Sequence, residues 1–348
     1  MVDIAAEDPM RAPTGRRATI KEVAETAGVS RSTASRALTG NGYVAEPVRL
    51  RVRAAARELG YVVDATARSL KQQSSRLIGV MVFDLRNAFY ADLASGAARE
   101  CRARGYTMML IDDSAAVEDE LEAAEAFVAL RVAGVIGTPL SSGLAEFLHR
   151  QRIPLVEVDR QFAEGATDAV VVDNRSAARV TTEHLLELGH RRIALFIDET
   201  EWTTGRDRHA GYSDALFASG IDLDAALVVP TGWDVDAAKA AAVALLSGEN
   251  RPTAIFAANN VLAEGAWRAA DELGLSIPED LSLVSFDDVP WMSMVTPGIT
   301  AVSQDAEALG AAAVRTLLER FAEPAAEPRT TTLAASLTHR GSTAPPRA

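Results

Sequence analysis

The chain has 348 residues, a length that calls for two or three folding units at about 100–200 residues each. Its composition, 48% hydrophobic, 24% charged and 5% aromatic, is that of an ordinary soluble protein, and no apolar run approaches the roughly 18 residues that cross a bilayer. The formal charge of −13 is uneven: residues 1–72 carry 12 basic and 8 acidic side chains, the rest 23 and 40, so a +4 head precedes a −17 body.

The first 17 residues, MVDIAAEDPMRAPTGRR, mix both charges and lack the apolar segment of a secretory leader, so they read as a disordered tail. A lone cysteine, Cys101, cannot form an intrachain disulfide, and nothing asks for an oxidising compartment. A cytoplasmic protein is expected.

Residues 18–63 predict three short helices. Ile20, Val23, Ala24 and Ala27 fall at i, i+3, i+4 and i+7, one buried stripe, with Thr19 and Glu22 spaced as a capping box. Gly28 ends this helix and Ser30 can cap a second, which turns Ala34, Ala37 and Leu38 inward and Arg31, Ser32, Ser35 and Arg36 outward. A third helix runs from about Pro47 to Leu59, burying Val48, Val52, Ala56 and Leu59, with Gly60 closing it. Two helices joined by a glycine turn, the second showing arginines and hydroxyls, describe a helix-turn-helix. Such side chains suit the major groove, where arginine donates bidentately to guanine and serine serves several bases.

From Leu77 the chain alternates strand and helix. The runs LIGVMVF, YTMMLI, AGVIG and IPLVEVD form one block; after AVVVD, the runs RIALFI, TAIFAAN and LSLVSFD form a second, with Gly105, Gly189, Gly220 and Gly274 closing helices. Near-continuous apolar strands alternating with helices mean parallel sheets covered on both faces. The expected fold is therefore α/β, two doubly wound parallel-sheet subdomains behind a small all-α head. A late helix, EALGAAAVRTLLERF, implies that the chain crosses back between subdomains. The expected bounds are 76–171 with 303–333, and 172–302 with 334–340, leaving 341–348 as a tail.

In such folds ligands bind beyond the strand C-termini. The residues there are Asn87, Phe89 and Tyr90; Asp159 and Arg160; Trp202, Thr204 and Arg208; Trp233; Asn259; and Asp287. Aromatic plates with carboxylates, amides and guanidinium suit a small hydroxylated ligand. The five histidines show no metal-ligand spacing, and no HExxH, GxSxG, GxxxxGK or CxxC is present, so neither a metal, a cofactor nor an enzyme is expected. The adjacent pairs Asp112–Asp113 and Asp287–Asp288 point in different directions at strand ends and make poor catalytic couples.

The segments TIKEVAETAGVSRSTASRALTGNGYV and ARELGYVVDATARSL resemble the head of the lactose/galactose-repressor (LacI/GalR) family of bacterial transcription regulators, and the resemblance runs from about Thr19 to the end of the chain. It implies base reading by Arg31, Ser32 and Arg36, and backbone contacts from Thr19, Ser30, Thr33 and Tyr43. It also implies a hinge helix over Asp64–Leu70, within a hinge and linker at 64–75. A helix so short cannot stand alone in water, and Leu70 would wedge between base steps in the minor groove. In the body, a periplasmic-binding-protein-like unit, the resemblance places effector contacts at Arg208 in RDRHAGY, Trp202 and Thr204 in WTTG, Trp233 in GWD, Asn259 in AAN and Asp287 in SFDD. Five positions depart from the family pattern: Ala45 for a capping serine, Val63-Asp64 for Pro-Asn, Ala88 for proline and Asn260 for aspartate.

The sequence reading is an effector-controlled repressor that binds double-stranded operator DNA as a homodimer and takes a small effector between its subdomains. A sugar fits best, and a nucleoside or nucleobase could use the same groups. A solute-binding protein and a small-molecule enzyme on the same body fold are the alternatives; the basic head counts against the first and the missing catalytic constellation against the second. No leucine heptads follow the body, so a dimer and not a tetramer is expected.

Overall fold

The computed structural model describes residues 18–40, 42–62, 75–113, 116–198 and 200–347. These fall into two compact units, divided at residue 74. The expected N-terminal tail and the hinge helix over Asp64–Leu70, with Leu70 itself, lie outside the described residues.

The first unit holds α1 (Ile20–Ala27), α2 (Arg31–Thr39) and α3 (Glu46–Glu58). The capping box forms: the Thr19 hydroxyl accepts from the Glu22 amide, and the Glu22 carboxylate accepts from the Thr19 amide at 2.7 Å. Gly28, at φ 65°, ends α1 in the left-handed conformation that lets α2 start at an angle to it. Val23, Ala24, Ala27, Ala34, Ala37, Val44, Val52, Ala55 and Ala56 form the core. One expectation fails here. Leu59 is not buried but 36% exposed. It follows the last turn of α3, Gly60 at φ 62° reverses the chain, and Tyr61 packs against the core in its place.

The second unit contains two six-stranded sheets. Sheet one is built from β1 (Leu77–Val82), β2 (Thr107–Asp112), β3 (Gly134–Gly137), β4 (Leu155–Val158), β5 (Asp168–Val172) and β11 (Thr330–Leu333), in the order β11-β5-β4-β3-β1-β2 and entirely parallel. Its helices are α4 (Ala88–Ala103), α5 (Val117–Ala129), α6 (Gly143–Arg150) and α11 (Ala306–Ala322). Sheet two is built from β6 (Ile193–Ile197), β7 (Val228–Pro230), β8 (Ala254–Ala257), β9 (Ser282–Phe286), β10 (Thr300–Gln304) and β12 (Ala335–Thr338), in the order β12-β10-β9-β8-β6-β7. Its helices are α7 (Asn174–Glu187), α8 (Thr203–Ala218), α9 (Val235–Leu246) and α10 (Asn260–Glu272). Each sheet reverses its strand order at its first strand, β1 or β6, and the crevice beyond such a switch point is where doubly wound sheets bind ligands.

The chain crosses between sheets three times: after β5, at Asp305 after β10, and at Ala334 between β11 and β12. The second crossing lies slightly beyond the expected 302–303, because β10 pairs with β12 out to Gln304. Strand β12 runs antiparallel to β10, a departure from wholly parallel sheets. Strand β11 ends at the cleft side, and a chain passing there directly into the other sheet can only run back away from the cleft.

The expected C-terminal tail is also corrected. Ser342 is fully buried; its hydroxyl donates to Leu283 O at 2.6 Å and accepts from the Thr300 amide at 2.8 Å. The Ala344 carbonyl accepts from Ser282 and lies 2.9 Å from His190 Nε2. A segment without regular structure thus satisfies polar groups at the N-terminal ends of β9 and β10, two interior strands of sheet two. Cys101 is buried and free, and burial pushes its thiol up to about 11.

Candidate functional site

In the first unit, the Ser30 hydroxyl caps α2 by accepting from the Thr33 amide at 3.1 Å and lies 2.9 Å from the hydroxyls of both Ser32 and Thr33. Capping fixes the first turn of α2, and with it the direction of Arg31 and Ser32, both exposed. Arg36, one turn on, is exposed and reaches back to Ser32 O at 3.4 Å. Neither arginine is engaged by a carboxylate among the described residues. Tyr43 is 90% exposed. Thr19 and Thr33 sit at the N-terminal turns of α1 and α2, where free amides also favour an anion. Six polar groups and one aromatic ring are thus presented by a rigid three-helix unit. Helix α3 begins less well: Ala45 offers no side-chain cap.

In the second unit the strand C-termini of the two sheets face one cleft. Phe89, Tyr90, Asp159, Trp202, Thr204, Arg208, Trp233 and Asp287 line it, together with Arg160 and Asp198. Asn259 does not. It is fully buried, caps α10 by accepting from the Leu262 amide at 2.9 Å, and donates to Asp198 Oδ2 at 3.1 Å. It aims a carboxylate at the cleft instead of lining it. Asp198 directly follows β6, Phe83 directly follows β1 and Gln304 ends β10; the sequence reading omits all three although they stand at the same kind of position as the residues it names.

The strand ends are strained where the carboxylates sit. Asp159 and Asp287 hold φ of 69° and 67°, which costs a non-glycine residue about 1–2 kcal/mol. Arg160 is 1% exposed. Its guanidinium donates to Tyr90 OH at 2.8 Å, pairs with Asp159 at 3.5 Å and lies between two rings, 4.6 Å from Phe83 and 4.2 Å from Trp202. Arg208 donates to Asn174 Oδ1 at 2.9 Å and to Ala258 O, and stacks 3.7 Å over Phe286. Gln304 donates to Asp287.

Burial dominates the protonation of the acids. It pushes Asp287 up to about 6, partly opposed by Arg208 and reinforced by Asp159 and Asp198. It also raises Asp198, against the pull of Arg208 and Arg160, and Tyr90. Arg160 Nη1 and Trp233 Nε1, donors on residues that line the cleft, have no hydrogen-bond partner among the described residues. Carboxylates that accept, buried N–H groups that need an acceptor and flat rings together describe a site for a ligand that both donates and accepts hydrogen bonds.

Hydrogen bonds that span the cleft between the subdomains include Asn260 Nδ2 to Asn87 Oδ1 at 2.9 Å and the Gln161 amide to Thr203 Oγ1 at 3.1 Å. The asparagine that replaces the usual aspartate at 260 thus donates across the cleft, which a carboxylate could not. The paired aspartates separate as their geometry requires: Asp287 faces the cleft, while Asp288 holds Arg340 at 2.7 Å. Among the described residues there is no cluster of three or more metal-ligating side chains, and no helix is long and apolar enough to cross a membrane.

Residues 19–64 match the family described as bacterial regulatory proteins, lacI family, and residues 182–343 match a periplasmic binding protein-like domain. The HTH-type transcriptional repressor PurR of Erwinia tasmaniensis is 33% identical over 331 residues, 94% of this chain and 97% of that protein. The ribose operon repressor of Escherichia coli strain K12 is 30% identical over 328 residues, 93% and 99% of the two chains. A crystal structure of the lac repressor dimer bound to operator and the anti-inducer ONPF superposes with a TM-score of 0.84 at 28% identity, covering 94% of this chain and all of the other. With the helix-turn-helix head, the two-sheet body and full-length relatives of the same construction all in agreement, the chain belongs to the LacI family of bacterial regulatory proteins.

Proposed function

We propose that the protein is a transcriptional repressor that works in the cytoplasm, binds operator DNA as a homodimer and is controlled by a neutral, hydroxyl-rich ligand, a sugar, in the body cleft. One observation carries the reading: a single chain joins a head displaying Arg31, Ser32 and Arg36 to a cleft that gathers Asp159, Asp198 and Asp287 with Arg160, Arg208 and two tryptophans. Arg31, Ser32 and Arg36 read base edges from α2, while Thr19, Ser30, Thr33 and Tyr43 hold the phosphate backbone. Two heads related by two-fold symmetry read the two halves of a near-palindrome.

In the cleft, ligand hydroxyls donate to the carboxylates and accept from Arg160 and Trp233, with a ring face against the tryptophans. Three carboxylates against two guanidiniums disfavour an anionic ligand such as a sugar phosphate. The ligand acts by changing the relative position of the subdomains, so its effect on DNA equals its difference in affinity between the two arrangements. Nothing in the site calls for a catalytic step.

The test is equilibrium binding of the purified protein to the intergenic DNA upstream of its own gene and to a scrambled duplex, at about 0.15 M salt because phosphate contacts dominate at low salt. The reading predicts a preference on the order of a thousandfold or more. Equal binding to both duplexes would rule it out.

A further inference from the structure

Phe83 lies behind the cleft and packs against both tryptophans that line it. It follows the last residue of β1, the strand at which sheet one reverses its order, and is fully buried. Its ring meets Trp202 edge-on at 5.4 Å and Trp233 edge-on at 5.0 Å, both from the opposite subdomain, and lies 5.8 Å from Tyr90. Arg160 covers its face. One phenyl ring from the first subdomain thus touches both tryptophan walls of the second. The space enclosed by the residues that line the cleft, Trp202, Trp233, Tyr90 and Arg160 among them, is about 10 Å³, roughly what one water molecule requires.

A ligand that stacks on either tryptophan must share its volume with this ring. When the subdomains part, the tryptophans move with sheet two, whereas Phe83 stays fixed to the end of β1 as the floor. The depth gained is therefore bounded by a side chain that core packing holds in place. We propose that Phe83 is the specificity-determining residue that limits the ligand to a single ring: a monosaccharide is accepted, whereas a disaccharide or a nucleoside is rejected because its second ring needs the volume that Phe83 fills. This rests on the reading of the cleft as a sugar site. Removing such a ring from an apolar setting leaves a cavity on the order of 150 Å³, enough for a benzene-sized group.

The experiment titrates full-length protein with D-ribose, D-glucose and D-galactose as single-ring probes, and with cellobiose, lactose and adenosine as larger ones. Calorimetry is the readout, with quenching of tryptophan fluorescence as a second signal from Trp202 and Trp233. Wild-type protein should bind at least one monosaccharide on the order of a hundredfold more tightly than any larger probe. Phe83→Ala should shrink that ratio at least tenfold by gaining affinity for a larger probe. Phe83→Leu, which keeps more of the apolar packing, should shrink it in the same direction and serves if the alanine variant does not fold. Wild-type binding of a larger probe as tightly as of every monosaccharide, or an unchanged ratio in the folded variant, would overturn the proposal. If the wild type binds none of the six while still selecting its operator, the sugar reading of the cleft fails and the proposal falls with it.

Discussion

Replacing Asp287 by asparagine should stabilise the protein at neutral pH while disabling its cleft. The carboxyl is 5% exposed, and burial raises it from an ordinary 3.8 to about 6. Each pH unit of such a difference corresponds to about 1.4 kcal/mol, so the ionised form costs about 3 kcal/mol of folding stability. The sign follows from proton linkage. The folded state holds the proton more tightly than the unfolded one, so stability is greatest below pH 4, declines as pH rises to about 6, and is level above that. Asparagine carries no charge and can still accept from Gln304, so the variant should lack this decline. Urea unfolding of both proteins at pH 4 and at pH 7.5 gives the comparison, and because Asp198 and the other acids are common to both, the difference isolates position 287. The variant should gain about 2–3 kcal/mol relative to wild type between the two pH values. A gain under about 0.5 kcal/mol would refute the assignment of a buried, ionised carboxylate. The same change removes an acceptor for a ligand hydroxyl, so sugar affinity should fall at least tenfold.

Three further outcomes test other parts of the structure. Ala45→Ser supplies the cap that α3 lacks and should slow hydrogen exchange of the head amides by an amount equivalent to about 1 kcal/mol. Arg31→Ala should cost about 1–3 kcal/mol of operator affinity and relax sequence preference at one base-pair position in each half-site, measured by binding to a set of single-base operator variants. Gly310→Ala should lower the melting temperature of the body sharply: a Cβ there would lie 2.0 Å from the Leu93 carbonyl oxygen, so α4 and α11 would be forced apart, at about 1–3 kcal/mol or more.

Much of this architecture can be read directly from residues. The capping box at Thr19 and Glu22, the glycine turn at Gly28 and the outward arginines of α2 are local features, set by chemistry within a few positions, and the sequence states them openly. The cleft is partly legible for a different reason: in a doubly wound sheet, function collects at strand C-termini, so Asp159, Arg208 and Asp287 stand out once strands are located. Phe83, Asp198 and Gln304 obey the same rule. They were missed because an apolar ring at a strand end looks like core, and because the amide that aims Asp198 comes from Asn259, 61 residues away. Asn259 was misplaced for the converse reason: its cap and its bond to Asp198 consume the side chain. The C-terminal segment escaped notice because GSTAPPRA has no apolar pattern; it is held by the hydroxyl of Ser342 and the carbonyl of Ala344, which leave no trace in hydropathy. Leu59 illustrates how one residue beyond a helix end reverses burial.

Ligand-controlled repression requires coupling between the body cleft and the DNA-binding head, and one measurement tests that coupling directly. Operator affinity of the full-length protein is measured by fluorescence anisotropy at about 0.15 M salt, alone and with a saturating concentration of the monosaccharide that binds most tightly by calorimetry. The account predicts a change in operator affinity of about 5–150-fold, the range set by typical coupling free energies. It also predicts the reciprocal change in sugar affinity when operator is present. An operator affinity that stays constant while calorimetry shows the cleft filled would contradict it.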